Sequence, residues 1–173
     1  MDIMIDLETL ATTPDAAILS IGAVKFDPWS NNINFENFYC RVDIDSCNRL
    51  GLRTDNSTIE WWSKQSKEAQ EEAFSPDGRI DIVDAMNQLY KFCWGSKHVW
   101  SHGAAFDIVI LETIFRKLEK TTPWKYYEVR DTRTLFDLGI DPCQPKTLKH
   151  HALEDARNQA VGVQNIFKQL SKL

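Results

Sequence analysis

The chain contains no CxxC pair, no HExxH, no internal repeat and no low-complexity linker. It also has no apolar run near the ~18 residues that a membrane helix needs. Its first residues, Met1-Asp2-Ile3-Met4-Ile5-Asp6, lack the basic start and long apolar stretch of a secretory leader. These absences lead us to expect a cytoplasmic chain with no membrane partner. The four cysteines, Cys40, Cys47, Cys93 and Cys143, read as reduced residues that mostly pack. Positive charge is also scarce, with 20 basic against 25 acidic residues and a net charge of −5. A protein that tracks along a duplex carries a basic stripe, and none is visible. Contact with a nucleic acid would therefore be local, over a few nucleotides.

Apolar residues are abundant, at 43% of 173, including 9 Phe, 6 Trp and 4 Tyr. This suits a single folded domain over residues 1–173 with a real core. Residues 3–8 read as a buried strand whose far end carries charge. Residues 16–26 read as a second strand, 27–32 as a turn and 33–42 as a third strand, which predicts three antiparallel strands in succession. Residues 43–56 read as a loop. Ser57 and Glu60 form a capping box that starts a helix carrying Trp61 and Trp62. Asp81 caps a helix whose inner side is Ile82, Met86, Leu89 and Cys93. A short strand is expected at 97–101 and a helix at 106–118. A short helix should begin at Asp131, and a last one should run from about Ala152. The expected class is α/β, a central mixed sheet flanked by helices.

Two residues apart on a strand, Asp6 and Glu8 point to the same face. Burying two unpaired carboxylates side by side costs several kcal/mol, and a bound divalent cation removes that cost. Taken alone, the pair also fits a strand end dipping into solvent. Asp107 and Asp155, each in an early helical turn, read singly as ordinary first-turn or solvated acids. His150 precedes Asp155 by five residues, about 140° out of register on a straight helix. It must therefore sit in the approach to the helix, with Leu148 and Lys149 as part of that approach. His98 reads as structural, and Arg130 and Arg133 either as solvated or as phosphate contacts.

Taken together, Asp6-Leu7-Glu8-Thr9, Phe106-Asp107 and the His150-x4-Asp155 segment resemble the DEDDh exonucleases of the DnaQ-like group, within the ribonuclease-H-like fold. Glu60-Trp61-Trp62, the segment 130–134 and the run 155–160 are similar to one branch. That branch holds phage and prophage exonucleases of the exonuclease VIII type and a mycobacterial exoribonuclease. Many members have Asn where this chain has His102, and Asn where it has His151. Spacing favours His150 over His151 as the acting histidine.

The resemblance implies a 3′→5′ exonuclease that releases nucleoside 5′-monophosphates from the 3′ end of single-stranded DNA or RNA. It implies two magnesium or manganese ions held by Asp6, Glu8, Asp107 and Asp155, with His150 taking a proton from the attacking water. It further suggests a terminal-nucleotide site made by backbone amides near Thr9, Leu10 as an apolar wedge, and the aromatic faces of Phe106 and one of Trp61 or Trp62, with Trp61 preferred; core packing is the alternative for these three rings. A homodimer is compatible with the family. The rival readings are a binding module of the same fold that has lost catalysis, a zinc hydrolase using histidines and cysteines, and an endonuclease.

Overall fold

In the computed structural model, which describes residues 1–145 and 150–172, the chain begins with a buried strand, β1 (Asp2–Thr9), of sequence DIMIDLET. Its residues are apolar on both faces because the strand lies inside the sheet, covered from above and below. β2 (Ile18–Phe26) and β3 (Glu36–Val42) follow it antiparallel, as the sequence predicts. Both begin later than expected. Ala16 makes only an isolated bridge to Arg53, and the residues before Phe35 are exposed.

Helices α1 (Ile44–Arg49), α2 (Asn56–Ser63) and α3 (Lys67–Phe74) come next. The segment expected as a loop thus contains α1. Asp43 starts that helix by accepting the Ser46 amide, and its buried residues are only Ser46 and Cys47. Six residues with so little apolar surface give no legible period. The Ser57 capping box is also corrected, because α2 begins at Asn56 with Asp55 as its N-terminal flank.

The strand β4 (Arg79–Ile80), helix α4 (Ile82–Cys93), strand β5 (Val99–Ser101) and helix α5 (Asp107–Lys117) lead to a 3-10 turn at Tyr126–Glu128. The strand β6 (Val129–Asp131), helix α6 (Thr132–Phe136) and long helix α7 (Ala152–Leu170) complete the order. The six strands align as β4-β3-β2-β1-β5-β6, with β4, β5 and β6 each parallel to a neighbour. The expected mixed sheet flanked by helices is present. Strands β4 and β6 and helix α3 were not anticipated, because two or three residues carry too few alternations to read as strand.

The core has two parts, one on each face of the sheet. Odd-numbered β1 residues Ile3, Ile5 and Leu7 pack with α4 and α5 residues such as Met86, Leu89, Ile110 and Ile114. Met4 points the other way, toward Ala156, Ala160 and Val163 of α7. Alternation therefore places Asp6 and Glu8 on the α7 side. Among the described residues no helix is long and apolar enough to cross a membrane.

Candidate active site

Strand β1 pairs with β5 only through Ile3 and Met4. Further along, the parallel ladder has ended, and the Leu7 amide donates to Asp107 Oδ1 at 3.1 Å. Asp107 is thereby drawn from the first turn of α5 to the end of β1, where it is buried at 3% exposure. Glycine lets α7 come close from the other side. A Cβ on Gly22, the residue opposite Asp6 on β2, would lie 2.2 Å from the Ala152 carbonyl carbon. No side chain fits there, so the α7 N-terminus rests directly on the sheet.

This seating brings Asp155 and Gln159, one helical turn apart, over the strand acids. The Gln159 amide donates to Asp6 Oδ1 at 2.8 Å. His150 has φ +63°, the left-handed conformation, and its own amide donates to Asp155 Oδ2 at 2.9 Å. The chain thus folds back on itself before the helix begins, which is how a five-residue spacing brings His150 and Asp155 together. The expectation for Leu148 and Lys149 lies outside the described residues.

Asp6, Glu8, Asp107, His150 and Asp155 all line one open cleft of about 350 Å³, with His102, Phe106, Arg133 and Gln159. The structure therefore brings together all five residues singled out by spacing. The acids destabilise one another's charged forms. Burial, then repulsion from Asp107, Glu8 and Asp155, holds the Asp6 carboxyl well above the usual carboxylate range, and the Gln159 hydrogen bond offsets part of this. Burial followed by repulsion from Asp155 and Asp107 pushes Glu8 up to about 8. Asp107 is pushed to about 7 by burial, against the lowering effect of the Leu7 amide. Burial also raises Asp155, with the His150 amide working against it.

Four mutually repelling acids in one cleft fit a divalent cation, which supplies the missing positive charge. Glu8, His150 and Asp155 offer ligand atoms that all lie within 4.8 Å of one another, and this group contains no cysteine. Cys40, Cys47 and Cys93 are buried free thiols, and Cys143 is free and exposed. Carboxylate oxygens with one imidazole suit a divalent cation and do not make a thiolate-rich metal site.

A second cavity, about 380 Å³, adjoins the cleft and shares Leu7, Glu8 and Phe106 with it. Thr9, Thr12, Ser57, Thr58, Trp61 and Trp62 complete its lining. The adjacent tryptophans divide as helix geometry requires. Trp62 is 2% exposed and donates its indole N–H to the Thr9 carbonyl at 2.9 Å, whereas Trp61 is 43% exposed. Trp61 also meets the His150 ring edge-to-face at 4.8 Å between centroids. Leu10 is corrected: it is 3% exposed within the core, so it has no free face to act as a wedge.

Sequence reasoning missed Gln159 and Gly22 as parts of the site. The i, i+4 spacing of Asp155 and Gln159 was a usable signal for the first. The second depends on a long-range approach that a sequence does not display. His98 is structural as expected, with Nδ1 at 3.1 Å from Asp2 Oδ2. Arg130 donates to the carbonyls of Tyr127 and Val129, while Arg133 reaches the cleft.

A sheet of this order, with acids from β1, α5 and α7 meeting at one strand end, defines a nuclease domain of the ribonuclease-H-like fold. The nuclease domain of 3′hExo, a DEDDh family member solved bound to rAMP, superposes with a TM-score of 0.61 at 15% identity, over 97% of this chain and 92% of that one. Exonuclease X, solved with 5′-overhanging duplex DNA, gives a TM-score of 0.53 at 18% identity, over 99% and 93%. An exodeoxyribonuclease of Enterobacteria phage T4 is 27% identical, over 77% of this chain and 69% of its own length. The chain belongs to the 3′-5′ exoribonuclease Rv2179c-like domain family, whose model matches residues 1–167. It is a 3′→5′ exonuclease of the DEDDh type.

Proposed function

We infer that the protein shortens single-stranded DNA or RNA from the 3′ end, one nucleoside 5′-monophosphate at a time, as a single domain over residues 1–173. The observation that carries this reading is the joining of the carboxylate cleft to the aromatic cavity through Glu8, Leu7 and Phe106. Such a junction holds one terminal nucleotide with its scissile phosphate beside the acids. A cytoplasmic setting is supported by four free cysteines, of the kind a reducing compartment keeps as thiols.

Asp6, Glu8, Asp107 and Asp155 would hold two magnesium or manganese ions. Bound there, the cations would supply charge stabilisation for both the entering and the leaving oxygen of the displacement. His150 takes the proton of the attacking water, a general-base role to which an imidazole is suited. Trp61 and Phe106 offer aromatic faces to the terminal base, and faces of this kind stack without reading sequence. Backbone amides near Thr9 hold the terminal 3′-hydroxyl. The leaving group is the 3′ oxygen of the shortened strand.

The test is digestion of matched single-stranded DNA and RNA, labelled at the 5′ end, with magnesium. We expect stepwise shortening that a 3′-phosphate blocks and Asp6→Asn abolishes. Internal cleavage of the blocked strand would instead identify an endonuclease, and binding without release would identify an inactive module. The ratio of the DNA and RNA rates assigns the substrate.

A further inference from the structure

The reading of His150 and Asp155 as catalytic raises the question of what holds them over the sheet, since His150 stands before the helix begins. The register of the sheet supplies an answer. Asp6, Gly22 and Tyr39 form one row across β1, β2 and β3. Gly22 is the seat of the α7 N-terminus. Beside that seat, the Tyr39 ring stacks on the His151 imidazole, with centroids 5.0 Å apart and planes 27° apart.

His151 is fixed from two further directions. Its Nδ1 accepts the Glu154 amide at 3.4 Å and so caps α7, which leaves the ring proton on Nε2. That Nε2 faces Glu72 Oε1 of α3 at 3.6 Å. Glu72 is in turn bound to the Tyr39 hydroxyl and to Arg41, whose guanidinium lies 2.6 Å from Oε2. Burial raises the Glu72 carboxyl, but the hydrogen bonds from Tyr39 and Arg41 outweigh it and leave it below its ordinary value. Glu72 is therefore a settled carboxylate with partners on two sides, and α3, β3 and α7 meet at this one side chain.

We propose that Tyr39, Glu72 and His151 form a clamp that positions the neighbouring His150 and Asp155 for the exonuclease reaction. They are positioning residues. His151 directly follows His150 in the chain, so a shift of its ring carries the His150 backbone and the hydrogen bond from the His150 amide to Asp155 with it. Arg41 braces Glu72 from behind. The inference rests on the assignment of His150 and Asp155 made above.

The test compares Glu72→Gln, which keeps the shape and removes the charge, with His151→Asn, which keeps an acceptor for the helix cap but loses the stack and the reach to Glu72. On a short single-stranded substrate with saturating magnesium, each variant is expected to lower kcat roughly tenfold, with KM within about twofold, as for loss of alignment in the reacting complex. Combined with Tyr39→Phe, each should lose less than the product of the single effects, because the groups act through one route. Thermal unfolding of the single variants should stay within a few degrees of the parent. A kcat within twofold of the parent in both variants overturns the clamp, as does a loss that follows the folded fraction.

Nitrogen-15 NMR of the imidazoles gives a readout independent of activity. The parent should show His151 as the Nε2–H tautomer, perturbed in Glu72→Gln. A freely exchanging tautomer mixture in the parent would overturn the clamp even if the protein is a working exonuclease. A fixed tautomer in a protein that releases no mononucleotides would keep the positioning contact and defeat the functional reading instead.

Discussion

Asp2 and Asp6 lie on the same strand and face the same layer, Asp2 at the first residue of β1 and Asp6 in its second half. Asp2 is 4% exposed and meets the His98 ring at 3.1 Å and the Trp100 indole N–H at 2.8 Å. Its burial is matched by donors. Asp6 receives the Gln159 amide but faces three further acids. The two halves of the strand thus place the same residue type to opposite effect. One half spends its acid on holding β1 to β5, while the other gathers negative charge that the protein alone does not neutralise. A buried acid is informative for function when its partners repel it, and only then.

The largest expected effect comes from exchanging these two acids' fates. Asp6→Asn should cut mononucleotide release on the order of a thousandfold, equivalent to several kcal/mol of lost charge stabilisation. In chelator the same variant should melt above the parent, because one source of repulsion is gone. Asp2→Ala should do the reverse. It leaves the Trp100 indole N–H without its acceptor and costs about 1–3 kcal/mol of stability, with kcat within about twofold because the site is distant. Calorimetry with and without magnesium, alongside a release assay, checks both. A stable Asp2→Ala protein or a fully active Asp6→Asn protein would break the contrast.

The next effect is in pH. The folded-state Glu8 carboxyl stands near 8, against an ordinary value of 4.5. A group raised in this way favours the folded state below its unfolded value, and the advantage is lost as pH rises through the folded one. The chelated protein should therefore lose a few kcal/mol between about pH 4.5 and 8. Magnesium should restore stability most at the upper end and release protons as it binds. Melting curves at pH 5 and pH 8 read this directly, and an equal magnesium shift at both would contradict it.

Helix α2 offers the same contrast within two adjacent residues. Trp61→Ala should raise KM roughly tenfold, within the 1–3 kcal/mol of a base stack, while leaving unfolding little changed. Trp62→Ala should instead cost about 3–5 kcal/mol of stability, since its ring lies in the core and its N–H holds the Thr9 carbonyl.

The legible parts of the sequence were those with a period or a fixed spacing. β1, β2, α4 and α7 each repeat apolar residues often enough to show their buried face. The site acids were legible because an Asp-x-Glu strand, a helix-start Asp and a His-x4-Asp segment recur in one order. Strands β4 and β6 were not, because two or three residues inherit strand geometry from their neighbours rather than from their own pattern. Leu10 was misread because an apolar residue after the motif looks the same whether it faces a ligand or the core. Gly22 and Glu72 act through contacts with distant elements, and no local signal marks such a partner; Gln159 was signalled only by its i, i+4 spacing from Asp155.

The smallest effect separates two arginines three residues apart, one on β6 and one on α6. Arg130 borders a cavity with Asp2 and His98, and its guanidinium is occupied by the carbonyls of Tyr127 and Val129. Arg133 lines the carboxylate cleft, is exposed, and gives its Nε to the His102 carbonyl at 3.3 Å. Its charge works against the burial that raises the Asp107 carboxyl in the same cleft, and the proposed path of the substrate's phosphate backbone runs through that cleft. Arg133→Ala should therefore raise KM a few-fold for every substrate sequence and reduce the salt dependence of binding by about one counterion. Arg130→Ala should leave both unchanged and loosen only the β6 end. Titrating KM against salt for the two variants separates a phosphate contact from a charge that merely lies near the site. Equal slopes for parent and Arg133→Ala would move that arginine out of the substrate path.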